Sequence, residues 1–473
     1  MRWVLDDRVR RLDGGRVLLG GSPLRFLRLS AAGVVALAEV EAGPVAAPAP
    51  FIDRLVGRGL LHPVLGADDA ASPDDLTVVI PVRDRPDALD RCLDGLTPQP
   101  LEESEAHVAG NLHGRAGPGP IAVVVVDDGS VDAEAHAAVA ARRGATLLRL
   151  DHSLGPAAAR NAGLAVVATP FVAFVDSDVM IGADALCRLA GHFADPKVAL
   201  VAPRIGHRGS ATALDRYESV ASSLDLGDRP GPIRPRSRVA YVPAAAMVAR
   251  VDALREVSGF DGTLTVGEDV DLCWRLDAAG HRCRYEPSAT ALHDGRATVA
   301  SWFGRIREYG TSAAPLDERH PGDVAPVVVS PWSLGVWSAA ASGHPWAAAA
   351  GVIASAELLA PKLRFLERPR REAYRLVGVG HLGAGRLLGQ ALVRPYWPVA
   401  LMTALASRRA RRIVPLAVVV PVLLEYRERR PALGPLQWTA LRLADHVAYS
   451  TGVWQGVWRQ RRLGAVRPAG ARN

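Results

Sequence analysis

Phe171-Val-Ala-Phe-Val-Asp-Ser-Asp178 is an apolar run that ends in two carboxylates one residue apart. No polar residue alternates with the apolar ones. Both faces of the strand it predicts must therefore be covered, as in an α/β sheet. If the chain stays extended past Val175, Asp176 and Asp178 project to the same side. Two like charges held that close are costly unless a cation stands between them, most simply a divalent metal ion. Asp-x-Asp is common in surface turns, so the pair takes its meaning from what surrounds it.

Working outward, Leu76-Thr-Val-Val-Ile-Pro81 predicts another short buried strand, which Pro81 ends at a sheet edge. Asp87 to Leu96 places Leu89, Cys92, Leu93 and Leu96 at helical spacing, and residues 97–120, rich in Pro, Gly and His, read as a surface loop. Ile121 to Val126 is a buried strand leading into Asp127-Asp128-Gly129-Ser130. Ala133 to Arg143 reads as a helix, Thr146 to Leu150 as a strand, and Gly155-Pro-Ala-Ala-Ala-Arg160-Asn161-Ala-Gly163 opens the next helix. Strands alternating with helices over short links predict a doubly wound, mostly parallel sheet. In such sheets ligands sit at the C-terminal ends of the strands, where Pro81–Arg85, Asp127–Ser130 and Asp176–Asp178 all fall.

These stretches carry a resemblance. Thr77-Val-Val-Ile-Pro-Val-Arg-Asp-Arg85, Val126-Asp-Asp-Gly-Ser130, Gly155 to Gly163 and Val175-Asp-Ser-Asp178 resemble the inverting family 2 glycosyltransferases of the GT-A fold. Ser258-Gly-Phe-Asp261 and Gly267-Glu-Asp-Val-Asp-Leu-Cys-Trp-Arg275 match the acceptor-side signature of that family. The resemblance implies a GT-A nucleotide-diphospho-sugar transferase fold, a doubly wound mixed α/β sheet, over residues 76–312. It also implies that Pro81, Arg83, Asp84, Asp127 and Asp128 hold the uracil and ribose of a UDP-sugar. Arg160 would lie beside the nucleotide, and Asp176 and Asp178 would bind ribose and metal. His293, in Leu292-His293-Asp294-Gly295, is read as a third metal ligand or as a capping side chain.

The chemistry agrees with the residue types. Breaking a sugar–diphosphate bond needs stabilisation of the departing charge, which Mg²⁺ or Mn²⁺ on hard carboxylate oxygens supplies. The acceptor hydroxyl must lose a proton on the face opposite UDP, and one carboxylate in a partly desolvated pocket can take it. Asp269 is the expected base. Glu268 and Asp271 are its rivals, sharing a helix face from which Asp269 points away. These acids also suit the N-terminal end of a helix dipole. Direct displacement predicts inversion, a β-glycoside from an α-linked donor. The Gln-x-x-Arg-Trp motif of processive synthases is missing, and Trp302, Phe303 and Tyr309 are candidates for stacking on acceptor sugars or for the core.

Residues 1–66 read as a module of their own. Asp13-Gly14-Gly15 joins a hairpin, Ser30 caps a helix over Ala31–Val40, and a second helix runs from Pro50. A winged-helix-like unit of this kind serves as a structural cap or as a docking site for a peptide or pathway protein; residues 67–75 read as a linker. The opening, Arg11 to Arg25 leading into Leu27-Arg-Leu-Ser30, resembles the N-terminal extension of mycofactocin-system glycosyltransferases. That resemblance implies transfer of glucose from UDP-glucose to a peptide-derived redox cofactor precursor, building a short β-linked oligosaccharide. The alternatives are a family 2 transferase acting on a polyprenyl phosphate or cell-envelope glycan, and a non-catalytic nucleotide-binding docking protein.

In the 473 residues, 56 Lys and Arg outnumber 49 Asp and Glu for a net charge of +7, yet only Lys197 and Lys362 are lysines. Arginine skew of this kind matches the codon usage of a GC-rich genome, and in the first three hundred residues no basic stripe with interleaved aromatics marks a nucleic-acid partner. The four scattered cysteines fit a reducing interior, and the charged start, Met1 to Asp7, is not a signal peptide. Residues 313–473 are expected to be helical and partly hydrophobic. Asp323 and Glu357 bound a stretch without Asp, Glu, Lys or Arg, long enough for one span. Pro395–Ala406 and Ile413–Leu424 are shorter than a span and flank Ser407-Arg-Arg-Ala-Arg-Arg412. Such pieces suit helices lying at the cytoplasmic face of a membrane, the alternative being a buried helical subdomain in the cytoplasm.

Overall fold

In a computed structural model, residues 2–43, 49–97, 121–296 and 298–470 are described. The chain divides into two compact units, one of residues 1–10, 18–209 and 221–295, the other of residues 11–17, 210–220 and 296–473. From residue 98 on, the surface loop expected over 97–120 lies outside the described residues.

The first elements are β1 (Arg2–Leu5), β2 (Arg10–Leu12), β3 (Val17–Gly20), β4 (Arg25–Arg28), α1 (Ala31–Ala42), α2 (Ala49–Gly57) and β5 (Leu61–Val64). Asp13-Gly14-Gly15 makes the tight turn between β2 and β3, with Gly14 at φ 63°. Ser30 Oγ accepts from the Gly33 N–H and starts α1, which stops at Gly43. β1 runs antiparallel to β5, and Leu18, Leu37, Val40, Leu55, Leu60 and Leu61 form a separate small core. Asp53 on α2 holds Lys197 and Arg282 of the larger sheet at 3.0 and 2.6 Å.

The larger sheet follows: β6 (Leu76–Val82), α3 (Pro86–Leu96), β7 (Ala122–Asp127), α4 (Ala133–Arg142), β8 (Thr146–Arg149), α5 (Pro156–Val166), β9 (Phe171–Val175), β10 (Val179–Met180), α6 (Ala183–Ala190), β11 (Val198–Arg208). After α7 (Ala213–Ala221) come β12 (Gly231–Ile233), β13 (Ala246–Arg250), α8 (Val251–Glu256), α9 (Glu268–Ala278) and β14 (Arg282–Asp294). The strand order is β10-β14-β11-β13-β9-β6-β7-β8, with β12 on β14. β9, β6, β7 and β8 are mutually parallel, whereas β13 runs antiparallel to both β9 and β11. The sheet is therefore mixed, as the GT-A resemblance implies. Gly163 lets α5 lie against it, since a Cβ there would stand 2.3 Å from Val79 Cγ1.

Pro81 does not end its strand at a sheet edge. β6 is a central strand that runs on to Val82. Its pairing with β9 stops at Val79, so the missing N–H of Pro81 falls on the side where no β9 partner is left unpaired.

The other unit contains α7 together with α10 (Val299–Thr311), α11 (Ala313–Arg319), β15 (Val328–Val329), α12 (Pro331–Ala341), α13 (Pro345–Leu359), α14 (Pro369–Val393), α15 (Trp397–Ala406), α16 (Ala410–Arg429), α17 (Pro435–Gln460) and β16 (Ala469–Gly470). α10 and α17 meet at glycines: a Cβ on Gly310 would stand 2.1 Å from the Tyr449 carbonyl oxygen. A buried network joins Tyr217, Arg442, Asp445 and Glu425, and the Trp302 ring packs edge-on against Tyr217. Trp302 is thus core. The uncharged stretch from residue 324 to 356 is broken into α12 and α13 by the turn at Ser342–His344 and does not form one long helix. By length and composition alone, Pro345–Leu363 and Pro369–Val393 are long and apolar enough to cross a membrane.

Candidate functional site

The ends of β6, β7 and β9 and the head of α9 collect the acids and arginines singled out in the sequence. At the end of β6, Asp84 adopts φ 55° and its Oδ1 accepts from the Val131 N–H, while its own N–H donates to Ser130 Oγ. Arg83 reaches across to Ser153 Oγ at 2.9 Å. After β7, Asp127 is fully buried and accepts from Arg149 Nη1 at 2.5 Å and from the Ser130 N–H at 2.9 Å. Asp128 accepts from Ser153 Oγ and from the N–H groups of Leu154 and Gly155, at 2.8, 2.7 and 3.0 Å. Both carboxylates are thus engaged within the protein, shaping the loop that leads into α5. Gly129, at φ 67°, presses that turn onto Ser153: a Cβ there would meet the Ser153 nitrogen at 2.6 Å.

Asp176-Ser177-Asp178 is not extended. The chain turns after β9, with the Val179 N–H donating to the Asp176 carbonyl, so strand alternation no longer applies. The two carboxylates take different partners. Asp176 Oδ1 accepts from Arg160 Nη2 at 2.6 Å, and Asp178 Oδ2 accepts from Arg85 Nη1 at 2.7 Å. The turn is followed by the pairing of β10 with β14, which sets Val179 opposite His293. His293 Nε2 then lies 3.7 Å from Asp178 Oδ1.

Arg160 is the hub. Its buried guanidinium spans Asp176 and Glu268, the latter at 2.9 Å, and lies 5.4 Å from the Phe260 ring centroid. Burial works against its charge, but Asp176 and Glu268 outweigh that and hold it cationic. Beside it, Asn161 clamps Phe260, donating to its carbonyl at 2.7 Å and accepting from its N–H at 2.9 Å. The α5 motif and the Ser258–Asp261 motif, about a hundred residues apart, are thereby one piece of structure.

The three acids at the head of α9 diverge. Asp271 is buried and takes Arg275 Nε at 2.7 Å; Arg275 also donates to the carbonyls of Val257 and Gly259. Glu268 takes Arg160. Asp269 keeps part of its surface open and accepts from the backbone N–H groups of Ala244 and Val270, at 3.2 and 2.8 Å. Burial and the neighbouring Glu268 charge push its carboxyl up to about 7. A carboxylate with that affinity for a proton, near neutral pH, suits general-base work.

The expected metal set of Asp176, Asp178 and His293 is not gathered. Among the described residues no group of three or more His, Cys, Asp and Glu side chains converges. Asp176 is turned to Arg160, which leaves Asp178 and His293 as the close pair. A carboxylate oxygen and an imidazole nitrogen so near each other fit a divalent ion that draws its other ligands from phosphate and water. Arg85 and Arg149 escaped the sequence reading. Arg85 belonged to a quoted motif, but its contact with Asp178 spans 93 positions and leaves no local trace.

The model of the family "Glycosyl transferase family 2" matches residues 77–257, and "Glycosyl transferase family group 2" matches residues 171–366. A pre-mycofactocin glycosyltransferase from Mycobacterium tuberculosis is 40% identical over 98% of this chain and 96% of its own length. The succinoglycan biosynthesis protein ExoU of Rhizobium meliloti is 28% identical over 46% of this chain and 62% of its own. Among solved structures, a mannosyltransferase from Pyrobaculum calidifontis in complex with GDP-Man and Mn²⁺ aligns with 74% of this chain and 99% of its own, at TM-score 0.38 and 19% identity. The reading as a non-catalytic docking protein gives way to the full-length relative. The chain belongs to the mycofactocin-system glycosyltransferases of family 2, enzymes of sugar transfer on the GT-A fold.

Proposed function

We propose that this enzyme is a hexosyltransferase that moves glucose from UDP-glucose onto a peptide-derived redox cofactor precursor, with inversion, and builds a short β-linked oligosaccharide. The observation that carries the reading is Asp269, a partly open carboxyl raised to about 7 at the head of α9, flanked by acids that arginines already occupy. Asp269 takes the proton of the acceptor hydroxyl as that oxygen forms its bond to the anomeric carbon. The carbon–oxygen bond to the diphosphate breaks with its electron pair, and UDP departs from the opposite face. Arg160 keeps Glu268 and Asp176 compensated, so the charge Asp269 feels is set by the protein.

Asp178 and His293 would hold a Mg²⁺ or Mn²⁺ ion, which when bound neutralises the leaving diphosphate. Arg83, Asp84 and the Asp127–Ser130 turn, with Pro81 beneath them, would frame the nucleoside. Residues 1–66, read as winged-helix-like, would dock the peptide or a pathway protein. The helices of residues 313–473 would keep the enzyme at the cytoplasmic face of the membrane. Purified enzyme with UDP-glucose, Mn²⁺ and the pathway's peptide-derived precursor should release UDP and add hexose mass to the acceptor. EDTA should abolish the reaction, and His293→Ala should raise the Mn²⁺ concentration needed by about tenfold or more. Undiminished transfer in EDTA would remove the metal from the account.

A further inference from the structure

We propose that the second unit lies on, and does not cross, an anionic bilayer, through a face built from α15, the α15–α16 turn and Trp346. This rests on the membrane reading above and specifies the lipid and the contact. Residues 373–424 hold seven arginines and no Asp, Glu or Lys. In the turn, two arginines serve the fold. Arg409 Nη1 donates to the Ser342 carbonyl, fastening the turn to the α12–α13 corner, and Arg411 donates to the carbonyls of Ala404 and Leu405 at the end of α15. Arg408 and Arg412 stay exposed and, among the described residues, have no acidic partner.

Apolar groups stand beside that charge. α15 buries only Ala400 and exposes Val399, Met402 and Leu405, the last two by 66% and 67%. Trp346, two residues past the corner that Arg409 grips, is 87% exposed. Arginine heads beside exposed Trp, Met and Leu are what a helix needs to sit in the plane of an anionic headgroup layer. A second copy of the chain is a poor occupant, since its own arginine-rich face would meet this one.

Length excludes a crossing by α15, and α13 reaches spanning length only through Leu363, a stretch that includes Glu357 and Lys362. The ten residues of α15 extend about 15 Å, half of a hydrocarbon core. α14 is long enough, but Arg386 makes an exposed 2.5 Å ion pair with Glu428 well inside it, and His381 near its middle bonds Ser333 and Ser355. Crossing would carry that ion pair into lipid.

The test is flotation of the full-length enzyme with phosphatidylcholine vesicles and with vesicles containing phosphatidylglycerol. Binding to the anionic vesicles alone is expected, released by high salt or a carbonate wash. The double variant Arg408→Glu, Arg412→Glu should bind at least about tenfold more weakly, Trp346→Ser should also weaken binding, and the double Lys variant should float like the parent. UDP release by the Glu variant should be unchanged, which shows that it folds. Equal flotation with both vesicle types would overturn the lipid specificity and leave membrane association standing. Resistance to the carbonate wash would overturn the surface geometry. An active enzyme that floats with neither would overturn the proposal and the membrane reading together, leaving sugar transfer untouched.

Discussion

The loop after β7 and the head of α9 both carry clustered acids, and the protein treats them differently. Asp127 and Asp128 are saturated, one by Arg149 and the Ser130 N–H, the other by Ser153 and two loop N–H groups. On α9, Glu268 and Asp271 are likewise taken, by Arg160 and Arg275. Asp269 between them is not: it has two backbone N–H groups, no ion-pair partner among the described residues, and a carboxyl raised to about 7. An acid given its own arginine, or three hydrogen bonds as at Asp128, builds the site. The acid left with neither, next to a like charge, is the one that can exchange a proton.

The largest effect that could break this contrast is at Asp269. Asp269→Asn should lower kcat by roughly 10²–10⁴ without unfolding the protein. Its stability should change with pH in a defined sense. Between the ordinary value of 3.8 and about 7 the native carboxyl holds a proton that the unfolded chain has lost, so wild-type stability falls as pH rises through that window. The Asn variant should therefore melt higher than wild type at pH 8 and gain little at pH 4, as read by calorimetry.

Arg160→Met comes next. It leaves Asp176 and Glu268 without their shared cation, and urea melts should show a loss of about 3–5 kcal/mol together with lost transfer. A change below about 1 kcal/mol would mean that the hub is not stabilising. The smallest effect should be at Asp271. Asp271→Asn weakens the charge-assisted bond to Arg275, costing about 1.5–3 kcal/mol, while kcat at saturating substrates stays near wild type. If its kcat instead collapses as far as that of Asp269→Asn, the base belongs at Asp271.

How much of this was legible beforehand follows from how local each signal is. Apolar runs such as Phe171–Val175 and the spacing of Leu89, Cys92, Leu93 and Leu96 placed the strands and helices, because burial on one or both faces writes itself into neighbouring residues. The position of Pro81 was misread, since which neighbour stops first is a property of the sheet and not of the strand. The Asp-x-Asp pair was expected to share a face, and a turn separates it. On α9 the sequence could name three acids, but their sorting depends on Arg160, Arg275 and the Ala244 N–H, which come from elsewhere in the chain or from the far end of the helix. In the second unit, the long uncharged stretch suggested one span, yet Ser342–His344 breaks it. The longer apolar helix, Pro369–Val393, was hidden by the arginines along it.

The central claim is that Asp269 is the base and titrates near neutrality. The pH dependence of kcat/KM for hexose transfer, followed by UDP release at saturating Mn²⁺, tests it most directly. The rate should rise tenfold per pH unit below about 7 and level off above it. The residual activity of Asp269→Asn should lack that limb. A wild-type profile flat from about pH 5 to 8, or a limb that persists in the Asn variant, would contradict the assignment.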